Sequence, residues 1–410
     1  MKRENKKKGT TEKEKEKKMY THRSETLICG RTQRYKKLNK AIVDNLVVVT
    51  RQLQCYTTAL ELRMIHTDPS SATELVNFLN NHAQLTKFCV SHNHVMTKKC
   101  SVIQKVVTDA TYVTALELIH CTVPMRIGCA LASRLMLPKC AITTLVLRHA
   151  KLGTHTLSAL ARYISTTTTL TYFAYIHDTR KFLLRKAIED NNSIERLKVI
   201  QVDISNARMP KFLTVLAQKP HLIRLAMSSN VDKTNETRTS YSFDFPEFNP
   251  ALKKFRWWNL ISRGCVESLA ARFRANKTLT HVNLANSELG TTNTNTILAA
   301  FHNNPTIKKI DVSWNNAVPT NYVVAPLLET APALKRLDAY IPREHFDFRT
   351  EILDRTLLAL RNHRNITLLG RDPCNLHECA KWLQRNLTNK KNKKWTLFRV
   401  MATRAKEFFL

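Results

Sequence analysis

The chain has 410 residues, 43% of them apolar, and carries 65 Lys and Arg against 32 Asp and Glu, a formal net charge of +33. That apolar content allows a sizeable core, while the absence of any run of about 18 apolar residues argues against a transmembrane helix. The charge surplus favours acidic partners, whether a protein face, nucleic acid or an anionic surface. Only seven glycines are present, which leaves little room for a phosphate-cradling loop.

Residues 1–32 read as a disordered basic arm, because KRENKKKGTTEKEKEKK alternates Lys and Glu without apolar residues. Residues 1–40 hold 15 Lys/Arg and 5 Glu, a net of +10. The arm has no apolar segment of the kind a secretory leader needs, and too much Glu for a mitochondrial transit peptide. With ten cysteines and no leader, an intracellular protein with reduced thiols is expected, cytoplasmic or nuclear. The Asn-x-Ser/Thr triplets at Asn235, Asn276 and Asn386 then carry no glycosylation meaning. Residues 33–56, with LNKAIVDNLVVV, read as an N-terminal cap.

From residue 57 a period takes over. Leu85, Phe88 and Val90 have the spacing L-x-x-L-x-L, followed by Asn93 and Val95. Val113, Leu116, Leu118, Cys121 and Val123 repeat it 28 residues later, with Cys in place of Asn. The first positions of successive units are 57, 85, 113, 142, 170, 194, 222, 252, 279, 307, 334 and 366. A step held near 28 residues through about twelve registers marks residues 57–387 as a repeat array. The second half of many units has helical apolar spacing, as in THTLSALARYIST and CVESLAARFRAN. Polar or Pro turns such as NNSI, ANKTL and NNPTI then lead into the next strand. The unit after Leu222 departs from this pattern: residues 231–250 are too polar and Pro-broken for a helix, and a loop is expected there. Residues 388–410 follow the basic stretch with Trp395, Leu397, Phe398, Val400 and Met401, and read as a C-terminal cap or tail. Residues 371–410 carry a net of +7.

The pattern L-x-x-L-x-L-x-x-N/C-x-L with a full helix per unit resembles the ribonuclease-inhibitor class of leucine-rich repeats, most closely at LTHVNLANSELG, residues 279–290, and IKKIDVSWNNAV, residues 307–318. The resemblance implies an α/β repeat fold, a horseshoe solenoid with a parallel concave sheet and convex helices, and a partner bound on the concave face. It also admits two further roles known for such repeats, GTPase regulator and ubiquitin-ligase substrate adaptor. Most units lack the glycine usual after the strand, with Gly153, Gly264 and Gly290 as exceptions.

Side chains alternate across a strand, so the x positions line the face opposite the core. Early units show few charges there. Later units show Arg196, Lys198, Arg224, Lys253, Lys254, Arg256, Lys308, Lys309, Lys335 and Arg336, with Trp258, Trp314 and Tyr340 among them. The acids are Glu61, Glu117, Glu195, Asp311 and Asp338. The expectation is a non-catalytic scaffold whose concave face holds an acidic protein, with RNA as the alternative partner and no small-molecule substrate. The eighth position of four consecutive units is His: His92, His120, His149 and His177. A pH-sensitive or metal-binding ladder is one reading of that column. The other is a position that favours a polar residue before the bend, since it continues as Gln201, Ser229, Asn259 and Asn286. Cys374, His377 and Cys379 lack a second pair at zinc-finger spacing, and no P-loop, dinucleotide-binding, nucleophile-elbow or H-E-x-x-H motif is present. No enzyme, cofactor or metal is expected.

Overall fold

The computed structural model describes residues 20–23, 26–29, 36–38, 58–63, 65–67, 69–91, 101–203, 208–229, 243–258, 263–315, 317, 321–339 and 367–369. The chain divides into two compact units, Met1–Val202 and Asp203–Leu410.

The first unit contains β1 Tyr20–Arg23, β2 Thr26–Cys29, β3 Lys36–Leu38, β4 Ala59–Arg63, β5 Ile65–Thr67, β6 Lys87–Ser91, β7 Ala115–Ile119, β8 Thr122–Val123, β9 Thr144–Arg148, β10 Lys151–Leu152, β11 Tyr172–Lys181 and β12 Arg196–Asp203. Its main sheet runs β1-β2-β4-β6-β7-β9-β11-β12. β1 pairs with β2 antiparallel, and the pairings from β2 to β11 are parallel. Helices Pro69–Asn80, Ser101–Asp109, Met125–Leu135, Thr154–Thr166 and Arg185–Asp190 alternate with the strands. The second unit has β13 Arg224–Ser229, β14 Lys254–Trp258, β15 His281–Asn283, β16 Lys309–Asp311, β17 Arg336–Asp338 and β18 Thr367–Leu369, adjacent in that order. Its helices are Met209–Ala217, Arg263–Ala275, Gly290–Ala299 and Asn321–Thr330. Each unit is thus an α/β leucine-rich-repeat solenoid segment.

The repeat register places the apolar positions where burial needs them. Leu60, Phe88, Leu116, Leu145 and Phe173 pair across neighbouring strands, as do Leu225, Phe255, Val282, Ile310 and Leu337. All ten are buried. The helices meet them from one side: Thr154–Thr166 buries Leu157, Leu160 and Ile164, at the spacing of one helical face. Burying a Leu or Phe side chain contributes about 1.5–3 kcal/mol, and no single strand–helix pair can cover both its faces, so stacking supplies the core.

Two kinds of polar side chain close the turns. At the strand end, Asn315 Nδ2 donates to Leu284 O (2.8 Å) and Val312 O (2.9 Å), while its Oδ1 accepts from Ser287 N (2.7 Å). Cys121 fills the equivalent position with weaker contacts to Val90 O (3.1 Å) and Ile119 O (3.2 Å). At the helix-to-strand turn, Asn276 Oδ1 accepts from Thr278 N (2.9 Å) and Leu279 N (2.7 Å), and Thr278 Oγ1 donates to Leu252 O (3.2 Å) in the preceding unit. Asn304 with Thr306 and Asn191 with Ser193 repeat this bracket. Buried backbone groups at these turns therefore keep partners. The Asn276 triplet is such a bracket.

Two places differ from the expected layout. Strands β1 and β2 fall where the sequence suggests a disordered arm, and β2 pairs in parallel with β4, so sheet pairing starts upstream of Thr57. The apolar signal there, Leu27, Ile28 and Cys29, is too short to stand out beside the surrounding charge. The unit after Leu222 has its loop in the part that is described, a stretch over 243–249 that is neither helix nor strand. Phe245 N donates to Ser268 Oγ (2.7 Å) and Phe245 O accepts from Arg272 Nε (2.7 Å), so the following helix holds the stretch by polar side chains on one of its faces. Phe245 and Phe248 then pack on Phe255 and Phe273, adding aromatic cover to the core there. The expected tail over 388–410 lies outside the described residues.

Candidate functional site

The open face of the second unit is built from the strand positions opposite the core. In β14 the pattern is plain: Phe255 and Trp257 are buried, while Arg256 between them is exposed. The pairings place Arg224, Lys254, His281, Lys309 and Arg336 side by side on β13 to β17. Neighbouring strands lie about 4.8 Å apart, so this is a continuous cationic row with one imidazole at its centre. Two residues along each strand, Ala226, Arg256, Asn283, Asp311 and Asp338 form a second row that passes from basic to acidic. Lys253, Lys308 and Lys335, one residue before the cationic row, are exposed.

The acids are held internally. Asp338 is buried; Arg336 Nε lies 2.9 and 2.8 Å from its two oxygens, and Lys309 Nζ is 3.7 Å away. Asp311 accepts from Asn283 Nδ2 (2.7 Å) and Ser313 Oγ (2.7 Å). Arg224, Lys253, Lys254, Lys308 and Lys335 have no carboxylate partner among the described residues. Like charge has consequences for the row. Burial lowers the Lys254 ammonium from its ordinary value, and Arg224 and Lys309 lower it further. Partial desolvation beside the Trp258 ring likewise lowers Arg256, opposed by Asp311. His281 is held below its ordinary value by burial, then by Lys254, Lys309, Lys308 and Arg224. A face in this state gains from any anion that replaces lost solvent and offsets the mutual repulsion.

Aromatic rings flank the charges. The Arg256 guanidinium sits 3.5 Å from the centre of the Trp258 ring, a cation–π contact. Trp314 is 45% exposed and takes a left-handed backbone, φ 61°. The same repeat position is left-handed at His120 (φ 50°), His149 (φ 49°), Gln201 (φ 53°) and Asn286 (φ 58°). Asn and His tolerate this region better than bulky side chains do. The histidine column therefore has a backbone cause: these positions take a left-handed conformation that suits Asn and His better than bulky side chains. Trp314 is the exception.

In the first unit, Arg196 lies 5.0 Å over the Tyr172 ring, and Lys198 is half-buried. Lys87 pairs with Glu117 at 2.8 Å, and Ser91 bonds to Glu61. Burial pushes the Cys89 thiol far up, and the flanking carboxylates Glu61 and Glu117 add to this. The His120 and His149 rings stack with centroids 4.3 Å apart and planes 6° from parallel. Among the described residues no group of three or more His, Cys, Asp or Glu is placed to hold a metal ion, and no helix is long and apolar enough to cross a membrane.

Of the residues singled out in the sequence, Arg196 and Lys198 belong to the first unit. Arg224, Lys253, Lys254, Arg256, Trp258, Lys308, Lys309, Trp314, Lys335 and Arg336 belong to the second. Tyr340 and His92 lie outside the described residues, and His177 is placed only as part of β11. Sequence inspection passed over His281, although its place two residues after Leu279 puts it in line with Lys254 and Lys309 once the register is written out.

No family model matches the chain, and no curated protein matches it in sequence. Among solved structures it is similar to a chain in the crystal structure of the yeast Rad7 and Elc1 complex, at 14% identity, over 81% of this chain and 86% of that one, with a TM-score of 0.44. At that identity no residue role transfers.

Proposed function

We propose that the chain is a non-catalytic leucine-rich-repeat scaffold of the ribonuclease-inhibitor type, and that the open face of its second unit docks an acidic protein partner. The observation that carries this reading is the cationic row Arg224, Lys254, His281, Lys309, Arg336, whose acidic neighbours are already engaged while Arg224 and Lys254 have no carboxylate among the described residues. Asp311, half-buried in the second row, favours protein over nucleic acid. A phosphate backbone meets it with like charge, whereas a protein can present a donor there and carboxylates elsewhere. Trp258 and Trp314 supply the aromatic anchors that protein interfaces favour.

The test is binding of a glutamate-rich peptide to the full chain, followed by fluorescence anisotropy across a salt series, beside a single-stranded RNA of equal charge. The peptide is expected to bind more tightly than the RNA and to weaken as salt screens the contacts. Exposed charge pairs contribute roughly 0.2–1 kcal/mol each, so Arg224→Ala with Lys254→Ala should cost about tenfold or somewhat less in affinity. Tighter RNA binding, or equal peptide binding by the double variant, contradicts the reading.

A further inference from the structure

His281 stands out within the row because it is a titratable ring where its neighbours are permanent cations. It is flanked in register by Lys254 on β14 and Lys309 on β16. Around it stand Lys253, Arg256 and Arg224 on one side, and Lys308, Asp311, Arg336 and Asp338 on the other, with Thr280 and Asn283 on its own segment. Asp338 is engaged by Arg336 and Lys309, and Asp311 by Asn283 and Ser313.

Thr280 Oγ1 lies 3.0 Å from Lys253 O and 2.8 Å from His281 Nδ1, so the hydroxyl holds the Nδ1 side of the ring. Nε2 has no hydrogen-bond partner among the described residues. The neutral ring can therefore take one proton as an anion reaches the row.

Resting on the reading above, we propose that His281 couples docking of a carboxylate-rich segment to uptake of one proton from solvent. As carboxylates settle between Lys254 and Lys309, the ring binds one proton and the imidazolium donates from Nε2 to a carboxylate oxygen while Nδ1 keeps its contact with Thr280. No covalent bond changes; one solvent proton becomes part of the complex. In the free chain partial burial, and then the surrounding cations, hold the ring neutral near pH 7. The arriving negative charge reverses that field. Docking therefore strengthens on mild acidification, and the cationic row distinguishes partners by how many carboxylates they bring to its centre.

The experiment is calorimetry of a decaglutamate peptide with the full chain near pH 7, in two buffers of different ionisation enthalpy, repeated from pH 8 to pH 6. Net uptake approaching one proton is expected, with affinity rising up to about tenfold per pH unit where the ring titrates. His281→Gln should bind more weakly than the parent chain at pH 6, take up no proton and lose that pH dependence. Peptide binding with no proton uptake, or with the same uptake in His281→Gln, overturns the inference while leaving the docking surface standing. Failure of the peptide to bind at low salt overturns the surface itself. Proton-coupled binding of RNA without peptide binding overturns the partner class.

Discussion

Two side chains in the second unit set stability against recognition. Trp314 occupies a left-handed position that the neighbouring repeat fills with Asn286, and it leaves nearly half of its indole in water. A bulky side chain in that region costs on the order of 1 kcal/mol more than Asn. Trp314→Asn should therefore hold or raise thermal stability while weakening peptide binding at least threefold, measured by calorimetric unfolding and anisotropy on the same sample. A fall of several kcal/mol in stability would place Trp314 among the structural residues instead. His281 gives a pH dependence with a definite sign. Its folded-state value lies below the ordinary 6.5, so the unfolded chain binds more protons below that pH. The associated stability is present above 6.5 and is lost as pH falls toward the folded value. His281→Gln should flatten that loss in denaturant unfolding between pH 6.5 and 5. The row of bases was legible in the sequence because the period assigns each residue a column. The ring's contact with Thr280 was not, since it depends on a hydroxyl that also meets Lys253 O of the preceding repeat.

At the level of strands and helices, the fold rests on close approach between like elements of successive repeats. Helices Met125–Leu135 and Thr154–Thr166 pack directly against one another. Gly128 is buried at their contact, and a Cβ there would meet the Thr156 side chain, 2.8 Å from its Cβ. Alanine gains about 1 kcal/mol over glycine inside a helix, but overpacking a core costs typically about 1–3 kcal/mol. Gly128→Ala should thus destabilise the protein by roughly 1 kcal/mol in chemical unfolding, with part of the loss recovered by adding Thr156→Ala. Net stabilisation would mean that the helices separate freely. Apolar spacing made the helices and the strand register readable, because positions such as Leu116 and Leu118 repeat at a fixed step. The strand Thr26–Cys29 was hidden by brevity and by the charge around it. The irregular stretch over 243–249 could be read as non-helical from Pro246 and the adjacent Pro250, yet its anchoring by Ser268 and Arg272 could not, because those residues look like an ordinary polar helix face. The Asn-x-Ser/Thr brackets at Asn191 and Asn276 had a local signal that was read only as a polar turn.

For the whole chain, the question is which of its many cations an acidic partner meets. The net charge of +33 is shared between the repeat array and two basic ends, +10 over residues 1–40 and +7 over residues 371–410. Diffuse charge attracts any polyanion and steers its approach. A row of cations set at strand spacing on a rigid sheet adds geometry, and this distinguishes docking from general attraction. The measurement that separates the two is zero-length carbodiimide cross-linking of a glutamate-rich peptide to the full chain, mapped by mass spectrometry at moderate salt. Cross-links are expected at Lys253, Lys254, Lys308, Lys309 and Lys335, and should be lost from them when Arg224 and Arg256 are changed to Glu. Cross-links confined to the lysines of residues 1–40 and 371–410 would contradict the assignment of partner binding to the second unit's open face.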